Sequence, residues 1–191
     1  MINCSSLTTQ RLKLLEIGEG DAPDLFKLYS DSSVTEYLDI ETLNMESQAD
    51  ELIQFLMRRA AAKLGMRWAI RIHDSGEFIG SCGLNSINVR MRNGTIGYDI
   101  HPMYQGQGYA YEALQRMIAA AFSGQLECGS LHRIQADTVP DNVASEALLL
   151  KMGFKKEGLR RSAGYWGGRF YDLNCFGLLE QDFSGRSSFI I

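Results

Sequence analysis

The chain has 191 residues, of which 45% are hydrophobic, and a formal net charge of −4 at pH 7. This length is ample for one hydrophobic core, so we expect a single domain over residues 1–191. The acidic balance argues against non-specific nucleic-acid binding, which depends on dense positive charge. Neither a membrane-spanning segment nor a secretory signal is recognisable, so we expect a cytoplasmic protein that contacts no membrane.

The four cysteines are scattered singly along the chain, without a Cys-x-x-Cys pair or a companion histidine cluster. Such spacing is typical of reduced thiols with packing or surface roles, so we expect neither disulfides nor a metal site. The residues concerned are Cys4, Cys82, Cys128 and Cys175.

The first half of the chain alternates between helical and strand-like periodicity. An acidic start followed by apolar residues on one face indicates the first helix, and Gly65 is the expected end of the second. The turn signal Asp74-Ser75-Gly76 joins two strands into a predicted hairpin. In chain order we predict a strand at 11–17, helices at 21–30 and from 47 to about 65, and strands at 66–72, 77–84 and 93–100.

The most informative stretch follows the strand at 93–100. It reads Gln105-Gly106-Gln107-Gly108-Tyr109-Ala110, a glycine-rich turn that opens directly into a helix. Glycines let main-chain N–H groups point inward, and the helix start adds unsatisfied N–H groups and the positive end of its dipole. The stretch therefore predicts a diphosphate-binding loop, with a ligand-free tight turn as the alternative.

Two familiar phosphate loops do not fit this turn. The nucleoside-triphosphate loop ends in Gly-Lys-Ser/Thr, but position 109 is Tyr; the dinucleotide loop needs a third glycine where Tyr111 stands. The helix itself is well supported, because apolar residues recur on one face of it. They are Ala110, Ala113, Leu114, Met117, Ile118, Ala121 and Phe122.

The last part of the chain predicts a strand at 132–139, a helix at 142–152 and a strand pair at 154–160 and 169–179. Pro140-Asp141-Asn142 ahead of the helix is typical of an N-cap, with Asn142 as the capping residue. The tail after Phe183 is too short for more than an extension, and its apolar residues 189–191 are a candidate contact with a neighbouring molecule.

Ordered motifs run through the chain: Thr9-Gln10-Arg11-Leu12-Lys13-Leu14, Ile96-Gly97-Tyr98, the loop at 105–110, His132-Arg133-Ile134, Pro140 to Ser145, Lys151-Met152-Gly153-Phe154 and Gly168-Arg169-Phe170-Tyr171-Asp172. Together they resemble the GCN5-related N-acetyltransferase (GNAT) superfamily, and within it the ribosomal-protein alanine N-acetyltransferase group. The resemblance covers residues 9–183. It implies an α+β fold, the GNAT acyl-CoA N-acyltransferase fold, with a mixed and mostly antiparallel sheet flanked by helices.

The resemblance implies acetyl-CoA as co-substrate. The loop at 105–110 would hold its pyrophosphate, and the pantetheine arm would pair with the preceding strand at Asp99, Ile100 and His101, where a main-chain N–H would polarise the thioester carbonyl. Asn142 would touch the CoA arm, and Ser145 would give a proton to the leaving thiolate. Both also have ordinary structural roles, as a helix cap and as a first-turn serine.

The general base is the least defined part of the implied site, because an amine must lose a proton before it attacks. The acidic positions that the resemblance implies are Thr95 and Gly164 here, and the position of a proton-donating tyrosine is Leu149. The remaining candidates are Asp99, Tyr98 acting through water, Asp172, or no dedicated base at all.

The acceptor site implied by the resemblance lies between the first helices and the turn at 164–168, with Tyr37 and Trp166 as walls. We expect a primary amine as acceptor, foremost a protein N-terminal α-amino group of the ribosomal-protein type. A small amine such as a polyamine, amino acid or drug is the alternative, and a non-catalytic acyl-CoA-binding module is another. A homodimer is an expectation from the resemblance.

Overall fold

The computed structural model describes residues 6–183, so Cys4 and the tail segment 184–191 lie outside it. Its centre is a sheet of eight strands in the order β1-β2-β3-β4-β5-β6-β8-β7. The strands are β1 Leu7–Thr8, β2 Leu12–Glu16, β3 Met66–Ile72, β4 Phe78–Asn88, β5 Asn93–Ile100, β6 Arg133–Thr138, β7 Lys155–Trp166 and β8 Arg169–Leu179.

All neighbouring strands pair antiparallel except β5 and β6, which run parallel. The parallel pairing is short and joins Asn93–Thr95 to Arg133–Gln135. A parallel connection requires a crossover, and the helix that follows β5 provides it. The predicted mixed, mostly antiparallel α+β fold is confirmed.

Helices cover both faces of the sheet. The helices are α1 Ala22–Tyr29, α2 Ser32–Thr35, α3 Glu46–Ala61, α4 Tyr109–Ser123 and α5 Val143–Lys151. On β3, Trp68 and Ile70 belong to the core shared with α4, whereas Ala69 packs with α1 and α3 on the other face. This follows from the alternation of side chains along a strand.

Most predicted elements are confirmed within a few residues, and the strand at 93–100 matches β5. The second helix ends earlier than predicted, at Ala61, because Lys63 adopts a left-handed conformation with φ of 56°. Gly65 has a different role: a Cβ there would lie 2.8 Å from the Leu84 carbonyl oxygen, so the glycine permits close approach to β4. Strand β7 is longer than predicted and continues to Trp166.

Within residues 6–183, every helix is too short or too polar to cross a lipid bilayer. Across the same residues, His, Cys, Asp and Glu side chains form no cluster suited to a metal ion. Cys82, Cys128 and Cys175 carry free thiols.

Candidate active site

Strands β5 and β6 part after their short parallel pairing. Thr95 is the last residue of β5 paired with β6, and beyond it β5 continues to Ile100 while β6 continues to Thr138. On the other side of β5, the register with β4 shifts between Leu84 and Ser86, which leaves Asn85 as a bulge. A cavity of about 430 Å³ lies in the resulting gap.

Main-chain groups of β5 line this gap. The His101 N–H donates to the Ile79 carbonyl at 2.9 Å, so His101 faces β4. Because an antiparallel ladder alternates, the main chain of Tyr98 and Ile100 faces the gap and that of Asp99 does not. Of the three predicted pantetheine contacts, Ile100 directs its N–H toward the gap, whereas the main-chain N–H groups of Asp99 and His101 face β4.

The loop after β5 has the geometry that its sequence predicts. Gly106 and Gly108 have φ angles of 73° and 82°, which glycine adopts without strain. The first helical hydrogen bond of α4 runs from Glu112 N–H to the Gly108 carbonyl at 3.1 Å, so the amides of Tyr109 and Ala110 precede it. Together with the helix dipole, these amides suit an anion.

Two loop side chains fix the turn and the end of β5. The Gln105 side-chain amide donates to the Ile100 carbonyl at 2.9 Å, and the Gln107 amide donates to the Met103 carbonyl at 3.0 Å. His101 turns its imidazole Nδ1 toward the Met103 N–H, at 3.3 Å, rather than into the gap. The residues predicted to bind pyrophosphate therefore form one ordered turn beside the mouth of the gap.

Arg11 is a residue that the sequence argument missed. Its guanidinium donates to the Gln107 carbonyl at 3.1 Å and to Glu112 at 2.6 Å, and it lies 4.5 Å from the centre of the Tyr109 ring. It therefore places a guanidinium, ion-paired with Glu112, against the glycine-rich loop. The signal in the sequence was Arg11 in the first motif, but nothing local connects that motif to a loop almost a hundred residues later.

Asn142 and Ser145 stand at the start of α5, beside β6. The Asn142 side-chain oxygen accepts from the Ser145 N–H at 3.1 Å, so the predicted cap is confirmed. Across the gap, the Tyr98 hydroxyl donates to the Ser145 carbonyl at 3.4 Å. Burial raises the pKa of Tyr98, against the opposing effect of its contact with Ser145, so the phenol stays neutral at physiological pH.

The predicted acceptor walls lie on the same cavity as these residues. Tyr37, Trp166, Asn142 and Ser145 all line the gap between β5 and β6. The cavity also contains the three positions at which the sequence lacks the expected side chains, namely Thr95, Gly164 and Leu149.

Trp166 explains why position 164 carries no acid. The two residues share one face of β7, and a Cβ on Gly164 would lie 2.2 Å from the Trp166 ring. Trp166 in turn stacks on Tyr171, with ring centres 3.9 Å apart. A glutamate at 164 would displace this stack, so the indole occupies the space of the absent carboxylate.

Asp99 does not suit the predicted role of general base. It is 6% exposed, and its carboxylate is paired with Arg67. It also accepts hydrogen bonds from the Tyr29 hydroxyl at 3.0 Å and from the Ser81 N–H at 3.1 Å. These donors occupy the carboxylate within the fold, and Asp99 lines neither the gap nor the cavity beside it. Asp99 is thus part of a buried structural network.

Asp172 is also engaged elsewhere. Its carboxylate accepts from the Ser162 N–H at 2.7 Å and so supports the β7–β8 hairpin where the register shifts between Arg160 and Gly164. It lines neither the gap nor the cavity beside it. This leaves Tyr98 as the one sequence-predicted base candidate that lines the gap.

A second cavity, of about 450 Å³, adjoins the gap on the side of α1 and α3. Arg59 and Arg67 contribute its positive charges, and Asp39 is the only carboxylate among its described lining residues. Its apolar wall comes from Leu38, Ile40, Leu52, Phe55 and Leu56.

Comparison with known proteins agrees with this geometry. The model of the acetyltransferase (GNAT) domain matches residues 11–155. The N-acetyltransferase YoaA of Bacillus subtilis, described as uncharacterized, is 36% identical over 174 residues, covering 91% of this chain and 96% of that protein. The ribosomal-protein-serine acetyltransferase of Escherichia coli is 30% identical over 121 residues, 63% of each chain.

Solved structures share the fold at lower identity. A ribosomal L7/L12 α-N-protein acetyltransferase in complex with coenzyme A superposes with a TM-score of 0.81 at 22% identity, covering 92% of this chain and 98% of that one. Spermidine N-acetyltransferase from Vibrio cholerae, in complex with CoA and spermine, gives 0.78 at 22% identity, covering 91% and 98%. The chain therefore belongs to the GNAT acetyltransferase family, and it is an N-acetyltransferase.

Proposed function

We propose that this protein transfers the acetyl group of acetyl-CoA to a primary amine by direct attack in a ternary complex. One observation carries the proposal: the gap between β5 and β6 opens beside a turn with positive φ at Gly106 and Gly108. A long, thin ligand with a diphosphate at one end fits this combination of an anion-binding helix start and unpaired strand groups.

The chain's own groups would act on the donor in three ways. Amides of the loop and the first turn of α4 would bind the pyrophosphate, with Arg11 adding charge. Main-chain groups of Tyr98 and the N–H of Ile100 would pair with the pantetheine arm, and an N–H there would stabilise the oxyanion that develops on the thioester carbonyl. Asn142 would direct its remaining amide donors at the arm.

The reaction forms a C–N bond and breaks the C–S bond of the thioester. The amine enters as an ammonium group, loses one proton before attack and a second after it, and the thiolate leaves with one proton gained. Ser145 is our candidate donor of that proton, because it lines the gap at the N-terminus of α5. The helix dipole at this end also favours developing negative charge on sulfur.

For the acceptor, we favour a protein N-terminal α-amino group of the ribosomal-protein type. Arg59 lines the cavity beside the gap and pairs with no carboxylate among the described residues, which disfavours a polyamine with several positive charges but tolerates a peptide terminus with one. The named activity of the Escherichia coli ribosomal-protein relative supports this choice. A homodimer, a cytoplasmic location and a single domain over residues 1–191 remain predictions of the sequence.

The alternative is a small amine, and the spermidine acetyltransferase of the same fold supports it. The non-catalytic module is disfavoured, because a relative that covers nearly the whole chain is named an N-acetyltransferase.

The test is thiol release from acetyl-CoA by the purified protein. The acceptors would be peptides that differ in their first residue, the same peptides with a blocked N-terminus, and spermidine. We expect release with the unblocked peptides and none with the blocked controls. Thiol release with spermidine alone would mean that the acceptor is a small amine and not a protein N-terminus. CoA binding without thiol release on any amine would contradict the proposed function.

A further inference from the structure

The two cavities meet along a narrow shared wall, and the reaction has to take place there. The donor would fill the gap between β5 and β6, and the acceptor would enter from the side of α1 and α3. The amine nitrogen must therefore reach the thioester where the cavities join. The residues that line both cavities are Leu38, Asp39, Asn85, Gly97 and Tyr98.

Only one of these shared residues, Asp39, carries a carboxyl group. Burial raises the pKa of Tyr98, so it stays a neutral phenol, and the Asn85 amide has no basic site. The Asn85 oxygen also accepts from Arg67 at 3.0 Å, and the Asn85 side chain sits against Gly97. Asp39 lies on the loop between α2 and α3 and is exposed. Within residues 6–183, no hydrogen bond or ion pair engages its carboxylate.

Other acids near the reaction are missing or occupied. Position 95 is threonine, and the Trp166 ring fills the space beside Gly164. Asp99 is paired with Arg67, and Asp137, which lines the gap, is paired with Arg160 at 2.5 Å. Among the residues that the structure describes, an acceptor amine at the junction would thus find a single uncommitted carboxylate.

We infer that Asp39 is a catalytic residue, the base that takes a proton from the acceptor amine. The inference rests on the proposed function and adds to it. The ammonium group would transfer one proton to the Asp39 carboxylate, the neutral nitrogen would attack the thioester carbon, and the protonated Asp39 would release its proton to solvent. Its exposed position suits this last step. The loop between α2 and α3 thus supplies the carboxylate that positions 95 and 164 lack.

The test compares Asp39→Asn, Asp39→Ala and Asp39→Glu with Glu41→Gln, an exposed acid of the same loop. The readout is thiol release with the acceptor that the wild-type protein uses best. We expect Asp39→Asn to lower kcat about 100-fold or more, the usual scale for loss of a general base, while calorimetry shows unchanged acetyl-CoA affinity. Asp39→Glu should retain most activity, and Glu41→Gln should match wild type.

Chemical rescue separates a missing base from a disturbed loop. Formate, a small carboxylate, should restore part of the activity of Asp39→Ala in a concentration-dependent way and should leave wild type unaffected. An active wild type with equally active Asp39 variants would overturn this inference alone. Impaired variants that formate does not rescue, with Asp39→Glu also inactive, would overturn it as well. A wild type without activity on any amine would instead overturn the proposed function.

Discussion

Asp99 on β5 and Arg67 on β3 form a buried ion pair across the intervening strand β4. The two side chains are 3% and 12% exposed. Ser81 of β4 lies between them, with its hydroxyl accepting from the Arg67 Nε at 2.7 Å. The Tyr29 hydroxyl completes the network from α1. This network ties α1 to the three strands that form the floor of the cavity we assign to the acceptor.

Removing one partner of this ion pair should lower the free energy of unfolding substantially. In Arg67→Ala, the Asp99 carboxylate stays buried without its cation, and such losses are about 3–5 kcal/mol. We expect the free energy of unfolding, measured with urea, to fall by this amount. Arg90→Ala, at an exposed position, is the control and should change stability by less than about 0.5 kcal/mol. Equal effects of the two variants would mean that the pair is not formed.

The Glu112 carboxyl should make folding stability depend on acidic pH. Burial alone would raise its pKa, but hydrogen bonds from Thr9 and Arg11 outweigh burial and hold the pKa below its ordinary value of 4.5. The unfolded chain therefore binds this proton more readily than the folded one. The stabilisation is fully present above the ordinary pKa and is lost as pH falls through the lowered, folded value.

The measurement is the free energy of unfolding of wild type and Glu112→Gln at neutral pH and in the acidic range. The wild type should be the more stable at neutral pH, and the difference should shrink on acidification. Glu51→Gln, on the exposed side of α3, is the matched control. A difference that grows on acidification would mean that folding raises, and does not lower, the pKa of Glu112.

Arg11 should matter for the donor more than for the acceptor. Its guanidinium contacts the loop at Gln107 and Tyr109, so Arg11→Ala removes a charge from the proposed pyrophosphate site. We expect the dissociation constant of CoA, measured by calorimetry, to rise about tenfold, equivalent to about 1.4 kcal/mol. Lys13→Ala, the next basic residue along the chain, should change it little. Unchanged CoA affinity in Arg11→Ala would exclude the phosphate role.

Ser145 offers a contrasting prediction. If its hydroxyl gives a proton to the leaving thiolate, Ser145→Ala should lower kcat by about 10- to 100-fold, at or below the usual range for proton-transfer groups. CoA affinity should persist, because the Asn142 cap uses the main-chain N–H of residue 145. Ser123→Ala, at the far end of α4, is the control. A fall in CoA affinity with unchanged kcat would instead assign Ser145 to binding.

The structural features that could be predicted from the sequence are those that depend on a local residue pattern. Helix α4 and the turn before it follow from glycines and 3.6-residue periodicity, and the Asn142 cap follows from three neighbouring residues. The buried network around Asp99 could not be predicted, because its surroundings are set by strand register, which places Ser81 opposite it and brings Arg67 of the next strand within reach. No local pattern contains that information.

The position of Asp39 also could not be predicted from the sequence, because it depends on tertiary packing. Asp39 occupies a loop without periodicity, and only the packing of its neighbours Leu38 and Ile40 against the cluster of α1 and α3 brings it to the junction of the cavities. The packing at Gly164, in contrast, could have been predicted from the sequence. Residues two apart share one face of a strand, so a glycine at 164 and a tryptophan at 166 indicate that the ring packs over the glycine.

The central claim is that the gap between β5 and β6 holds the pantetheine arm of the donor. A crystal structure of the protein with bound CoA tests it most directly. We predict the arm beside the main chain of Tyr98 and Ile100, with the diphosphate on the amides from Gly106 to Ala110. CoA bound outside the gap, with β5 and β6 closed on each other beyond Thr95, would contradict the account.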